Sequence, residues 1–375
     1  MDKFYCAAPW RGLHINPRGD VKTCCAGDPN ILGNLNSQTI EQILHGPTMQ
    51  QIRQSIRSGQ PHSVYCYNCV QAERYGRSER DWHNSVNSEF DCTTAGDREH
   101  RPTLIDVRWN NTCNLSCNYC APACSSRWAT LHKMQVRSGT TPHYEQVCDY
   151  LEKHQEHIRE VALVGGEPLL LKENERLLDV IPQDCMVTLI TNAVVDLTSN
   201  KIFEKLSKRS KVGWSISFDN VESRFEYVRH GSTWSQLMQN LDKIQTLMRT
   251  KGHQGGIHAV YNIYSATRII ELTEFARRQD LTIHWQSLYQ PECLDPSRLG
   301  TDIVNLARLE LHGALDSGLL TALEQEFLRS VFDNLQVKAD LREQLRQHIT
   351  DIEQQFHLDQ LGQFAKLWPE IDALC

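Results

Sequence analysis

The stretch LIDVRWNNTCNLSCNYC, residues 104–120, decides how the chain is read. It opens on a short apolar run, 104–109. A run of that length between turn signals reads as a strand. Directly behind it come Cys113, Cys117 and Cys120, and Cys124 follows within CNLSCNYCAPACSSRW (113–128). Four thiolates can close a zinc site or a cluster, whereas three can hold an iron–sulfur cluster and leave one iron open for chemistry.

Outward from this stretch the pattern repeats. VALVGG (161–166), MVTLITN (186–192), GWSISFD (213–219), GGIHAVYNIY (255–264) and TIHWQSLY (282–289) read as further strands. Segments of helical period, such as 234–248 and 266–279, lie between most of them. Six strands alternating with helices predict an α/β fold with a parallel sheet. Helices should cover its outer side, the strands should be nearly continuous in apolar residues, and chemistry should sit at their carboxyl ends. The cysteines occupy such a place.

The first hundred residues differ. GLHIN and DVKTCC flank Pro17-Arg18-Gly19, a hairpin signal. Two short helices follow near 39–44 and 48–58, the first expected to be capped by Ser37. This is a small, loop-rich module that needs a staple. A polar link, AGDREHRP (95–102), separates it from the strands. After Pro291 the strands stop, and 300–375 carries helical periodicity that should cap or pack on the sheet.

The whole chain has 375 residues, 14 cysteines and a formal charge of −7. The acidic balance argues against broad binding of nucleic acid, and the basic segment 201–211 reads as a solvated helix face. No run approaches ~18 apolar residues, so no membrane span is expected, and the N-terminus has no apolar signal region. A cytoplasmic chain keeps its thiols reduced. Cysteines clustered at short spacing then point to metal or cluster ligation. Cys92, Cys148, Cys185, Cys293 and Cys375 are scattered and read as small buried groups.

The Cys113-x3-Cys117-x2-Cys120 spacing, with Tyr119 before the last cysteine, resembles the radical S-adenosylmethionine superfamily. That resemblance implies a partial (β/α)6 barrel, a [4Fe–4S] cluster on these three thiolates, and S-adenosylmethionine on the open iron. It also implies roles for other residues. Gly165, Gly166, Glu167 and Pro168 look like the family's GGEP motif, where backbone and glutamate meet the methionine ammonium. Asn192, at the end of the third strand, is a further cofactor-binding candidate, and Ser215, Ser217 and Asp219 on the fourth stand where the family contacts ribose and methionine. Arg229 stands where similar enzymes put an arginine near the cofactor's carboxylate. Asn262, Trp285 and Gln286 are further candidates for adenine or substrate. Cys124 reads as a residue near a helix start, since a fourth ligand there would block the cofactor.

The N-terminal module resembles a SPASM or the shorter twitch domain. Cys6, Cys24, Cys66 and Cys69 would supply an auxiliary [4Fe–4S] cluster. Cys25 rivals Cys24, because adjacent strand residues point to opposite faces, and a zinc ribbon is the alternative geometry. The order of modules resembles a group of twitch-domain members of the superfamily, through Glu73, Gly76, Ser78 and Arg80, SSRW, WQxLxxP around Pro291, and KLWPEI near the end. The expected division is 1–98, 99–295 and 296–375. The resemblance implies an enzyme that modifies a ribosomally made peptide, with electron transfer through the auxiliary cluster. A reduced flavodoxin or ferredoxin-type donor is expected. No fused leader-binding domain is read at its start, so either a separate partner or the C-terminal helices would bind a leader, or the substrate is not a peptide. Oxidation or rearrangement of a small molecule, such as an aminocyclitol, nucleotide or amino acid derivative, is the alternative.

Overall fold

A computed structural model describes residues 4–27, 30–73, 78–96, 99–134, 143–288, 290–358 and 363–375. Its strands in chain order are β1 (Gly12–Ile15), β2 (Asp20–Lys22), β3 (Gly33–Asn34), β4 (Leu104–Val107), β5 (Ser116–Cys117), β6 (Glu160–Leu163), β7 (Met186–Thr191), β8 (Val212–Ser217), β9 (Arg229–His230), β10 (Gln254–Tyr261) and β11 (Thr282–Ser287). All six strands expected between residues 104 and 289 are present; each ends earlier than expected, and β6, β8 and β10 begin one residue earlier; Tyr289 lies outside the described residues.

Nine strands form one sheet in the order β11-β10-β8-β7-β6-β4-β1-β2-β3. From β11 to β4 the neighbours are parallel. The N-terminal hairpin continues this sheet: β1 pairs in parallel with β4, His14 opposite Asp106. The module expected to stand apart behind a polar link therefore shares the sheet, and β1 covers what would otherwise be an exposed edge at β4.

The strands alternate more than expected. One row, including Ile105, Val161, Leu189, Trp214, Ile216, Ile257, Ala259 and Trp285, is buried in the main core with the helices. The opposite row carries His14, Asp106, Thr188, Ser215, Ser217, His258, His284 and Gln286. A strand buried on both faces reads as continuously apolar; here only the helix-facing side is dry, and the inner face is polar.

Local signals set the helices. Thr233 accepts the Gln236 N–H and starts the helix Trp234–Lys251, which stops at Gly252 with φ 72°. The helix Ile40–Leu44 is capped by Thr39 in a capping box with Gln42, not by Ser37, which lies too early to reach its first turn. The C-terminal helices divide in two. Gly300–Asp316 and Ala322–Asn334 pack beside β10 and β11, where Glu324 accepts the Ile283 N–H at 2.6 Å. Arg342–Gln355, Gln363–Leu367 and Pro369–Asp372 build a second core with Tyr227, Val228, Ile263 and Tyr264, and Tyr119 packs against it.

Candidate active site and auxiliary thiol site

The loop after β4 is fixed at many points. Asn110 Oδ1 turns the chain by accepting the Thr112 N–H at 2.9 Å. The Ser125 hydroxyl donates to Leu115 O at 2.7 Å and caps the helix Ser126–Leu131. Trp128 Nε1 donates to Cys117 O at 2.9 Å. β5 pairs antiparallel with β9, setting Cys117 opposite Arg229. Cys113, Cys117 and Cys120 are half-buried, while Cys124 is exposed two residues before its helix.

The three thiols act on one another. Burial first, then Cys117, pushes Cys113 up to about 12. Burial, then Cys117, Cys124 and Cys113, pushes Cys120 up. Thiols that raise each other in this way stand around one volume, and a bound cation or cluster would hold all of them as thiolates. Among the described residues no three His, Cys, Asp or Glu side chains have the spacing to share a single ion. The zinc reading therefore draws no support from the geometry, whereas a cubane spreads its ligands over separate irons.

Beside the thiols, Tyr119, Asp219 and Arg229 lock together. The Tyr119 hydroxyl donates to Asp219 Oδ2 at 2.5 Å, and Arg229 Nη2 donates to Tyr119 Oη at 2.5 Å and to Asp219 Oδ2 at 3.1 Å. Arg229 Nη1 points at Cys117 Sγ from 3.8 Å. Asp219 Oδ1 accepts the Val260 N–H at 2.6 Å, tying β10 to the group. Asp219 and Arg229 are both buried, where a charge needs its partner.

The GGEP turn follows β6. Gly165 has φ +137°. A Cβ on Gly166 would lie 2.2 Å from Thr112 O, so only glycine fits against the cysteine loop. Pro168 begins a short 3-10 turn. Glu167 is fully buried. Its Oε1 accepts from Leu169 N (3.1 Å) and Thr191 Oγ1 (2.7 Å), and its Oε2 from Asn192 N at 2.8 Å. These three bonds engage the carboxylate that the sequence reading set against an ammonium. Glu167 pins the turn to the end of β7, and the half-buried backbone of Gly165 and Gly166 is what the turn presents. Burial holds the Glu167 carboxyl up to about 7 despite its three donors. Asn192 is spent similarly: its Nδ2 donates to Asn114 Oδ1 at 2.9 Å and lies 3.9 Å from Cys113 Sγ.

Ser217 lies half-buried on the inner face. Trp285 does not join it. It is 4% exposed in the helix-side core, because its parity along β11 is that of Ile283. Gln286, one residue on, takes the inner position. Asn262 is buried and accepts the Tyr264 N–H at 2.8 Å, a turn-forming role.

The N-terminal thiols converge too. Burial first, then Cys24, Cys66 and Cys69, raise Cys6 well above its ordinary value. Burial, then Cys69, raises Cys24 to about 12. Cys6, Cys24 and Cys66 share one small core with Trp10 and Cys92. Cys25 faces elsewhere: after burial, Glu79 and Asp106 act on it most. Glu73 braces the group, accepting from Ser78 Oγ at 2.7 Å and Arg80 Nε at 2.6 Å, with Cys69 Sγ at 3.9 Å. Arg80 Nη1 reaches Tyr5 O at 3.1 Å, next to Cys6. Gly76 lies outside the described residues.

Sequence reasoning missed the charged left side of the inner face. His14 Nδ1 and Arg108 Nη2 meet Asp106 Oδ2 at 3.0 and 2.9 Å. The helix Glu79–Val86 lies over it, with Trp82 hydrogen-bonded to Glu160. The signal was an aspartate and an arginine inside LIDVRW, out of place in a strand buried on both faces.

A largely parallel sheet with cysteine groups at two places is the frame in which the matches to known families are read. Residues 107–261 match the radical SAM superfamily, and residues 6–70 match the SPASM iron–sulfur cluster-binding domain. The chain thus carries a radical SAM domain with a SPASM domain ahead of it, a pairing whose cofactors are S-adenosylmethionine and iron–sulfur clusters. No curated protein matches it. Solved structures similar to it include Streptococcus suis SuiB bound to S-adenosylmethionine, at 19% identity and a TM-score of 0.41 over 56% of this chain and 46% of that one. Native anSMEcpe with bound AdoMet is similar at 18% identity and 0.42, over 57% and 59%. SuiB bound to precursor peptide SuiA is similar at 15% and 0.39, over 80% and 62%. The chain thus spans roughly half to three-fifths of the structures it resembles. No helix among the described residues is long and apolar enough to cross a membrane.

Proposed function

We propose that the chain is an enzyme that cleaves S-adenosylmethionine reductively at the Cys113, Cys117 and Cys120 site and removes a hydrogen atom from a peptide substrate. The carrying observation is the loop itself: it brings Cys113, Cys117 and Cys120 together half-buried, with the exposed Cys124 beside Cys120. When bound, the cluster and S-adenosylmethionine supply a 5′-deoxyadenosyl radical, and an auxiliary cluster on Cys6, Cys24, Cys66 and Cys69 supplies an electron acceptor. Four thiolates would leave no iron open there, which favours electron transfer over substrate ligation.

The remaining work falls to the chain's own residues. Arg229 holds a positive charge beside Cys117 without needing a ligand, because Asp219 and Tyr119 fix it. The Gly165–Gly166 backbone offers polar groups at the loop, and buried Glu167 keeps that turn in place. Such pre-set geometry lowers the entropy cost of aligning two reactants. A peptide substrate is favoured by the pairing of a radical SAM barrel with a SPASM module; a flavodoxin-type donor and a leader-binding protein would complete the system. The test is anaerobic turnover with dithionite. 5′-Deoxyadenosine should form from S-adenosylmethionine, and deuterium should pass into it from a labelled peptide substrate. Transfer from a nucleotide or aminocyclitol instead would select the small-molecule alternative.

A further inference from the structure

The cysteine loop runs into a stretch of surface whose charge differs from that of the chain around it. Between Asp106 and Glu145 no residue is Asp or Glu, although the chain holds 46 of them among 375 residues and carries −7 overall. Within that span Arg127, Thr130, Leu131, His132, Lys133 and Met134 are exposed, on the helix Ser126–Leu131 and the turn behind it. Leu131 and Met134 are large apolar side chains, 37% and 56% exposed. Arg127 Nη1 donates to Asn114 O at 2.8 Å, and a neutral carbonyl leaves the guanidinium charge uncancelled.

A short route leads inward from this face. The Trp128 ring lies beside His132, with 5.4 Å between ring centroids, and its Nε1 donates to Cys117 O at 2.9 Å. Trp128 itself is buried. Phe356, just after the helix Arg342–Gln355, packs against it at 5.5 Å. One indole ring thus separates the exposed His132 from a cluster ligand.

An apolar centre with methionine and arginine beside it has the anatomy of a protein contact. An acidic protein is repelled by the chain as a whole and attracted where carboxylates are missing. The reaction proposed above needs one electron from outside the chain, and it is needed at the Cys113, Cys117 and Cys120 loop, directly beneath this face.

We propose that the face from Arg127 to Met134, with Trp128 behind it, is where an acidic one-electron carrier protein docks to reduce the cluster. This rests on the function proposed above and adds the point of electron entry. One electron passes per encounter: the carrier is oxidised by one, the [4Fe–4S] cluster is reduced by one, and no bond forms or breaks. Holoenzyme is compared with the double variant Thr130→Glu, Lys133→Glu, at exposed positions that tolerate the change. The probe is flavodoxin, an acidic flavoprotein. Its binding is read by calorimetry, and 5′-deoxyadenosine formation is driven in parallel by reduced flavodoxin and by dithionite. Parent affinity should fall about tenfold between about 0.05 M and about 0.3 M salt. The double variant should bind about tenfold more weakly and lose flavodoxin-driven product about tenfold. Its dithionite-driven rate should stay that of the parent, because a small ion needs no docking face. Met134→Lys should bind flavodoxin about twofold tighter, a gain that no loss of folding produces. No flavodoxin binding by the parent, binding indifferent to salt or to the substitutions, or flavodoxin and dithionite rates that fall together would each overturn the docking face. So would a parent dimer whose mass halves in the double variant, since a second copy would then occupy it. Absence of 5′-deoxyadenosine in the parent with dithionite would overturn the function itself, and the docking face with it.

Discussion

Cys113, Cys117 and Cys120 come from one loop between β4 and the helix Ser126–Leu131. Cys6, Cys24, Cys66 and Cys69 come from three separate segments: the approach to the helix Ala8–Arg11, the end of the β1–β2 hairpin, and the helix Tyr67–Ala72 with the residue before it. The first group is held by backbone turns and by β5 pairing with β9. The second depends on long-range braces, Glu73 to Ser78 and Arg80 and Arg80 to Tyr5. A local site loses function when a ligand goes but keeps its shape. A dispersed site loses its fold when its cluster goes, because the cluster is itself a cross-link.

The largest expected effect breaks the local site. Cys113→Ala, Cys117→Ala or Cys120→Ala should each abolish 5′-deoxyadenosine formation, read by chromatography, while the melting temperature changes little. Persistent product in any one of them would remove that residue from the ligand set. Next comes the dispersed site. Cys6→Ala or Cys69→Ala should lower iron by about one cluster and loosen the first hundred residues in hydrogen exchange, sparing the barrel.

A smaller effect concerns the buried charge pair between the sites' chemistry and the sheet. Arg229→Met should leave Asp219 uncompensated and cost about 3–5 kcal/mol in denaturant unfolding. Tyr119→Phe removes one hydroxyl from that group and should cost about 1–2 kcal/mol. If both prove neutral, the pair is not what anchors the Cys117 loop. The smallest is at the module's surface. Thr39→Ala should cost about 1 kcal/mol through loss of the helix cap, and Ser37→Ala should cost little.

The local site was legible in the sequence because its ligands, its strand and its aromatic neighbour all lie within seventeen consecutive residues, 104–120. The six barrel strands were legible for the same reason: each is a short apolar run between turn signals. What was hidden depends on parity and on distance along the chain. Trp285 and Gln286 are neighbours in sequence, but the pleat sends one into the helix-side core and the other to the inner face. Cys24 and Cys25 pose the same ambiguity, and only the fold separates them, since one meets Cys6 and Cys69 and the other meets Glu79 and Asp106. Glu167 was legible as part of a motif but not as a buried brace, because its donors, Thr191 and Asn192, sit on the next strand. The union of β1 with β4 was hidden as well, because a parallel pairing across some ninety residues leaves no local signal.

The measurement that bears most directly on the account is iron and sulfide content of anaerobically reconstituted protein, taken side by side for the parent chain, Cys24→Ala and Cys25→Ala. Two [4Fe–4S] clusters predict about eight irons in the parent, about four in Cys24→Ala, and about eight again in Cys25→Ala. A parent chain that holds zinc or only about four irons, or a loss of iron in Cys25→Ala with none in Cys24→Ala, would contradict it.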